Sequence, residues 1–327
     1  MSERNLEQVP NAFGFDANTE GLEVASRLKE YITGKTSAIV LITGVAQGSL
    51  GGEAAISIAS ASPSLLILSA RAEDRVEPIA SKIASAYPSV DVRFLPMDLG
   101  NLESVHSAAA KVESWTDVTI DVLINNAGVM AGPYRTTEDG FEMQFGVGHL
   151  GHFLFTNLLL KADKIRTGGR IVNVSSEGHM LGPVRFDDPG FEHGTQYNEW
   201  QGYGQAKTAN MLFSLALAER LKDRKIYSFS LHPGVIMTNL GRHMSEQELE
   251  ELVQSAGERF GDALKTLQQG VSTHLVAAFD PSIVDSNGGY LSDCKITFPV
   301  KDYATDPEGA KKLWTLSEEM VGQKFTV

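Results

Sequence analysis

Between Ala38 and Ala59 the apolar run Ala38-Ile39-Val40-Leu41-Ile42 passes into Thr43-Gly44-Val45-Ala46-Gln47-Gly48-Ser49-Leu50-Gly51-Gly52 and then into Glu53-Ala54-Ala55-Ile56-Ser57-Ile58-Ala59. This reads as strand, glycine turn and helix, the first half of a βαβ unit in a parallel sheet. Such a turn lets the backbone approach a pyrophosphate and aims the free N–H groups of the helix at it. A purely structural tight turn is the alternative, but the cluster lies where a βαβ unit needs it, which favours a dinucleotide.

The next strand, Leu65-Leu66-Ile67-Leu68-Ser69, ends in Ala70-Arg71. In NAD-binding proteins of this architecture an acid near that strand end bonds the ribose hydroxyls and would repel a phosphate there. Here the place holds alanine, followed by Arg71, a planar cation suited to a 2′-phosphate. The expectation is therefore NADP(H). Further along, Asp98-Leu99 closes the strand Asp91-Val92-Arg93-Phe94-Leu95, and Asp121-Val122-Leu123-Ile124 runs into Asn125-Asn126-Ala127-Gly128. Arg170 to Ser176 and Ile226 to His232 follow as strands, the second leading to Pro233-Gly234-Val235 and Thr238.

Tyr203 and Lys207, in Tyr203-Gly204-Gln205-Ala206-Lys207, precede a helix-forming stretch. Four apart on a helix, a phenol and an ammonium share one face with β-carbons about 6 Å apart. A tyrosine is a poor acid or base at neutral pH unless a nearby positive charge favours the phenolate. Lys207 is placed to supply one. Alone, the pair also fits an exposed polar face.

Together these motifs, in this order, resemble the short-chain dehydrogenase/reductase family from roughly Lys35 to Leu291. Within it, His149-Leu150-Gly151-His152-Phe153-Leu154-Phe155-Thr156-Asn157 resembles the retinol-dehydrogenase-like and WW-domain-oxidoreductase-like branch. The resemblance implies one α/β domain, a Rossmann-type doubly wound parallel sheet with helices on both faces, and hydride transfer. It implies that Ser176 bonds the substrate oxygen, that Tyr203 donates the proton in reduction, and that Lys207 lowers the tyrosine pKa and holds the nicotinamide ribose. Ser175 is adjacent, but the second serine is the usual match. Gly44, Gly48, Leu50 and Gly51 match the cofactor turn, with one residue more than usual between the last two glycines. Asp98, Leu99, Asn126, Ala127 and Gly128 match the adenine side and the central strand. Pro233, Gly234, Val235 and Thr238 match the loop over the nicotinamide amide. The family also implies a homodimer or tetramer.

One position departs from the pattern. Gly148 stands where the family usually has an asparagine that holds a water linking the lysine to solvent. Glycines 146, 148 and 151 would each cost a helix about 1 kcal/mol relative to alanine, so they point to a kink or to a close approach by backbone or ligand. His149 and His152 are spaced to share a metal, but no carboxylate or thiol sits suitably beside them, and packing is expected instead.

At 327 residues the chain is longer than one ordinary Rossmann domain, without a second hydrophobic pattern or repeat. Residues 1–35 read as an N-terminal extension in which Leu22 to Ile32 forms a short amphipathic helix packed on the edge of a domain spanning residues 36–327. No signal peptide precedes it, and no apolar run is long enough to span a membrane. The single cysteine, Cys294, excludes an internal disulfide and is consistent with a reducing compartment, so the expected location is cytoplasmic. A formal charge of −13 argues against nucleic acid or an anionic membrane as partner.

Specificity is expected from three irregular regions: Met180 to Phe191, inside the 27-residue separation of Ser176 and Tyr203; Met130 to Tyr134; and Thr238 to Leu267. Met130, Met180, Leu181, Phe186, Phe191, Trp200, Met237 and Leu240 suit an apolar pocket for a bulky hydrophobic carbonyl or alcohol, or they anchor their own loops. Two function classes follow. One is an NADPH-dependent carbonyl reductase or the reverse alcohol dehydrogenase. The other keeps fold and pocket for a non-redox step, cyclisation or isomerisation, or for binding alone. Intact Ser176, Tyr203 and Lys207 favour the first, and Gly148 the second.

Overall fold

The apolar runs become strands in a computed structural model that describes residues 8–9, 11–33, 38–238, 240, 247, 254, 264–298 and 301–326. They are β1 (Gln8–Val9), β2 (Ile39–Thr43), β3 (Leu65–Ala70), β4 (Asp91–Pro96), β5 (Ile120–Asn125), β6 (Ile165–Val174), β7 (Tyr227–His232), β8 (Val235–Ile236), β9 (Leu264–Lys265), β10 (Tyr290–Ser292) and β11 (Lys295–Thr297). Nine of them form one sheet in the order β1-β11-β10-β7-β6-β5-β2-β3-β4, while β8 and β9 pair separately. From β10 to β4 every neighbour is parallel; β11 and β1 continue the edge antiparallel.

The chain reverses its direction of travel across the sheet at β2, which lies between β3 and β5. In an open parallel sheet that crevice, at the carboxyl ends of the strands, is where a ligand binds. Register brings the ends level: Thr43 lies opposite Ser69, Ile42 opposite Ile124, and Asn125 opposite Asn173.

The helices are α1 (Gly21–Arg27), α2 (Lys29–Thr33), α3 (Leu50–Ala59), α4 (Glu73–Ala86), α5 (Leu102–Ser114), α6 (Met143–Phe145), α7 (Gly151–Lys161), α8 (Glu199–Arg220), α9 (Leu267–Phe279) and α10 (Pro307–Met320). Successive strand residues face opposite sides, so Val40 and Ile42 of β2 enter one core with α1, α3, α4 and α9. Leu41 enters the other, with α5, α7, α8 and α10. A strand that is apolar throughout is thereby buried on both faces, as a doubly wound sheet requires.

The amphipathic stretch near the N-terminus is two short helices rather than one, because Leu28 leaves helical geometry (φ −99°, ψ 14°) between them. Val24, Ala25, Leu28 and Ile32 are buried in the first core. Gly21 permits the close approach: a Cβ there would fall 2.6 Å from Val271 Cγ2 of α9. Ahead of it, β1 pairs with β11, and Asn11 Nδ2 donates to Cys294 O at 2.9 Å.

Among the described residues, no helix is long and apolar enough to cross a membrane.

Candidate active site

The glycine turn after β2 takes its shape from positions where a side chain has no room. Gly44 and Gly48 have φ of +74° and +72°, a region that L residues rarely occupy. A Cβ on Gly44 would lie 2.7 Å from Ala127 Cα, and one on Gly51 would lie 2.7 Å from both Asn126 Nδ2 and Gly44 O. Ser49 accommodates the extra residue: it caps α3, its Oγ accepting from Gly52 N at 3.0 Å and from Ala46 N at 3.0 Å while donating to Ala46 O at 2.8 Å. The helix therefore begins at Leu50, whose N–H, with that of Gly51, has no carbonyl one turn back within the helix.

Thr43, at the end of β2, joins this turn to the next strand. Its Oγ1 accepts from the N–H groups of Asn126 and Ala127 at 2.9 and 3.0 Å, and Asn126 Nδ2 donates to Thr43 O at 2.8 Å. With both acceptor places taken, the hydroxyl proton is left to donate to His152 Nε2 at 2.9 Å. That assigns the His152 proton to Nδ1, which faces Gly148 O at 3.4 Å.

Gly44 N and Val45 N donate to Ser69 O at 2.9 and 3.1 Å, which draws the end of β3 to the turn and leaves Arg71 exposed beside it. Asp98 folds back on its own bend, Oδ1 accepting from Gly100 N at 2.9 Å. The Leu99 side chain is core, and its carbonyl is where a Cβ on Gly151 would collide, at 2.5 Å.

Ser176 follows β6 and caps the 3-10 turn Glu177–Leu181, with Oγ accepting from Gly178 N at 3.0 Å. The same hydroxyl is hydrogen-bonded to Tyr203. Ser175 instead turns inward, where Oγ donates to Lys207 O at 2.7 Å. One turn along α8 from Tyr203, the Lys207 ammonium donates to Val174 O at 3.0 Å and lies 5.5 Å from the tyrosine ring centroid. A Cβ on Gly128 would sit 3.7 Å from that ammonium. The ends of β2, β5 and β6 and the start of α8 thus bring together the glycine turn, Asn126 to Gly128, Ser176, Tyr203 and Lys207.

The electrostatics differ from the expected lowering of the phenol. Burial pushes Tyr203 up to about 12, opposed by the Ser176 hydroxyl, and pushes Lys207 down to about 8. The reason is geometric: the ammonium meets the ring, and desolvation of the hydroxyl outweighs its charge.

The glycines at 146, 148 and 151 form the expected irregularity. Gly146–Leu150 is one wide π turn between α6 and α7. Its two histidines diverge. His149 Nε2 donates to Ser317 Oγ of α10 at 2.8 Å, since that hydroxyl already gives its proton to Leu313 O, and the ring packs among Phe145, Phe153 and Phe213. His152 points the other way, to Thr43. Burial holds both down at about 3, so both are neutral. Among the described residues no group of three His, Cys, Asp or Glu could hold a metal. At Gly148 itself a Cβ would lie 3.3 Å from Ala206 Cβ.

Of the apolar residues expected to line a pocket, Phe191 is completely buried and Phe186 packs against the core beneath α10, so these two anchor loops. Met130, Met180, Leu181, Trp200 and Leu240 are partly buried, and Met237 is exposed. Pro233 is buried, and Gly234 (φ +96°) is covered by Lys265, from whose Cδ a Cβ would be 2.6 Å. Val235 begins β8, and Thr238 Oγ1 accepts from Leu240 N at 3.2 Å. Most of the expected charged helix between Glu246 and Leu267 lies outside the described residues.

Four residues near the site carried no readable signal of their own. Thr43 was one letter of a motif. Tyr197 and Gln144 meet across 53 positions, Nε2 donating to Oη at 2.7 Å. Tyr303 Oη donates to His179 O at 2.9 Å across 124. Only the folded chain brings the last three to their partners.

Residues 38–187 match the family model described as short chain dehydrogenase. The chain is 36% identical to human retinol dehydrogenase 13 over 303 residues, covering 90% of each chain. It is 36% identical to the chloroplastic short-chain dehydrogenase TIC 32 A of Brassica napus over 312 residues, 91% of this chain and 89% of that one. Among solved structures, an uncharacterized protein from Mycobacterium paratuberculosis is similar at 30% identity and a TM-score of 0.67, with 89% of this chain and 95% of that one covered.

Proposed function

The chain belongs to the short-chain dehydrogenase/reductase family, on its retinol-dehydrogenase-like branch, and from that premise we propose that it is an NADPH-dependent oxidoreductase interconverting a carbonyl and an alcohol on a bulky hydrophobic small molecule. One observation carries the reading: the Ser176 and Tyr203 hydroxyls are hydrogen-bonded to each other, with the Lys207 ammonium one helical turn away, where β5 and β6 end beside the glycine turn.

The residues suit a nicotinamide dinucleotide. Backbone at Gly44, Gly48, Leu50 and Gly51 would meet its phosphates, in a cradle that a Cβ on Gly44 or Gly51 would close. Arg71 would take the 2′-phosphate, Asp98 and the Leu99 backbone the adenine side, and Asn126, Ala127 and Gly128 the middle. Tyr203 and Lys207 would hold the ribose next to the nicotinamide, and Pro233, Gly234, Val235 and Thr238 its amide. When bound, the cofactor supplies the hydride.

The protein's own groups manage the oxygen and its proton. Ser176 and Tyr203 are placed to donate hydrogen bonds to one carbonyl oxygen. A phenol at about 12 keeps its proton at neutral pH and gives it up as that oxygen gains charge. Lys207, at about 8, is still mainly charged at pH 7 and stabilises the phenolate that results.

A non-redox step has one observation in its favour, the missing side chain at Gly148. NADPH absorbance followed over a panel of hydrophobic ketones and aldehydes, with product stereochemistry, separates the two readings. Tyr203→Phe is expected to abolish turnover with cofactor affinity nearly unchanged. Ser176→Ala should lose less, of order 3 kcal/mol, because it removes one of two donors. Substantial activity in Tyr203→Phe would overturn the mechanism.

A further inference from the structure

Two stretches of strained backbone flank Tyr203, and both are held by one side chain. After β5, Ala131 has a φ of +45°; in the segment before α8, Phe191, Glu192 and His193 have φ of +56°, +47° and +55°, followed by Gly194 at +94°. Left-handed backbone in residues other than glycine persists only where its surroundings over-determine it, and it gathers at ligand clamps and active sites.

Tyr197 is what the two stretches share. Its Oη donates to Gly132 O at 2.9 Å and accepts from Gln144 Nε2 at 2.7 Å. Gln144 spends its remaining capacity on the same places, Oε1 accepting from Ala131 N at 3.0 Å and Nε2 donating to Glu199 O at 2.7 Å. The Tyr197 ring stands edge-on to Phe191, at 5.5 Å, and to Tyr134, at 5.2 Å. Gly194 lies so close to Tyr134 that a Cβ would fall 2.5 Å from Cδ1. Gly128, three residues before Ala131, borders the Lys207 ammonium, and Tyr203 follows Tyr197 by less than two helical turns.

We propose that Tyr197, with Gln144, is a positioning residue that locks the loop after β5 and the segment before α8 into a single wall of the substrate pocket, and so sets which carbonyl compounds fit. The assignment of the pocket rests on the reductase reading; the lock itself does not. Tyr197 and Gln144 touch no reacting atom, and their effect passes through the placement of Met130 and its neighbours beside Gly128.

The test is Tyr197→Phe, which keeps the ring contacts and deletes both hydrogen bonds of the hydroxyl. Amide hydrogen exchange is expected to rise together in residues 128–134 and 186–198, with β2 and β5 unchanged. In turnover, KM for a bulky carbonyl should rise about tenfold, while kcat and KM for NADPH stay within about twofold. Gln144→Leu combined with it should add little, because both changes open the same lock. Faster exchange in only one segment, or in neither, overturns the proposal, as does an equal rise in the two KM values. Exchange needs no substrate, so a protein inert toward every carbonyl would refute the reductase reading while the lock is judged by its own result.

Discussion

Gly178 lies against the edge of the Tyr203 ring: a Cβ at that glycine would fall 2.5 Å from Cε1 and 2.8 Å from Cδ1. The turn that follows Ser176 can therefore reach the phenol only as bare backbone. One turn of helix away, Gly204 admits the same strand of chain, with a Cβ 2.5 Å from Gly182 N. Gly178→Ala must push the ring or the turn aside. A displacement of this size at a reacting group is expected to slow turnover about 10- to 100-fold, with cofactor affinity kept. Steady-state kinetics and cofactor titration check it, and an unchanged kcat would show that the turn moves freely.

Arg71 is exposed at the end of β3, and Ala70 stands where NAD binders place an acid. The protein should bind NADPH more tightly than NADH, and Arg71→Ala should weaken NADPH alone. A charge-assisted phosphate contact contributes about 1.5–3 kcal/mol, tenfold or more in affinity. Calorimetric titration of both cofactors against both proteins decides. Equal affinities in the wild type remove the assignment.

Gly148→Asn brings a side chain to within 3.3 Å of Ala206 Cβ, on the helix turn that carries Lys207. The substitution alone should therefore disturb the site rather than improve it, changing the rate by up to about tenfold, or roughly 1.4 kcal/mol of barrier. Adding Ala206→Gly removes the obstruction and should recover the loss. A single mutant that gains reductase activity over an inert wild type would instead favour the non-redox reading.

Four histidines are buried and neutral: burial holds His149 and His152 near 3 and His179 and His274 near 4, against an ordinary 6.5. As pH falls below about 6.5 the unfolded chain takes up protons that the folded chain refuses. Stability is thus full above that pH and declines as it drops toward the folded values, at up to about 1.4 kcal/mol per pH unit for each histidine. Glu142 and Asp121, raised by burial, act in the opposite sense at lower pH. Urea denaturation between about pH 7 and 5 should show a slope of several protons. A flat profile would mean that these rings are protonated in the folded state.

The sheet and the Ser176, Tyr203 and Lys207 cluster were legible because both are written locally, as apolar runs of strand length and as motifs whose members share a strand end or a helix face. Other features were not local. Apolar spacing continues through Leu28, so nothing in it marks the break between α1 and α2. Phe191 reads alike whether it faces a ligand or pins its own loop; its left-handed backbone and complete burial, under the Arg185 guanidinium 4.7 Å from its ring, decide for the loop. The direction of the Tyr203 shift depends on how much water the phenol loses, which spacing along a helix does not encode.

The wide turn at Gly146–Leu150 also fixes the phase of everything after it. A π turn holds one residue more than an α turn, so removing any one residue there would restore a regular helix and rotate α7 by about 100°. Phe153 would leave its partners Trp314 and Phe213, and His152 would swing away from Thr43. Residue count in this helix thus carries structural information independent of residue identity: substitutions there act locally, whereas a one-residue deletion would unseat a core layer and the anchor of the cofactor turn together.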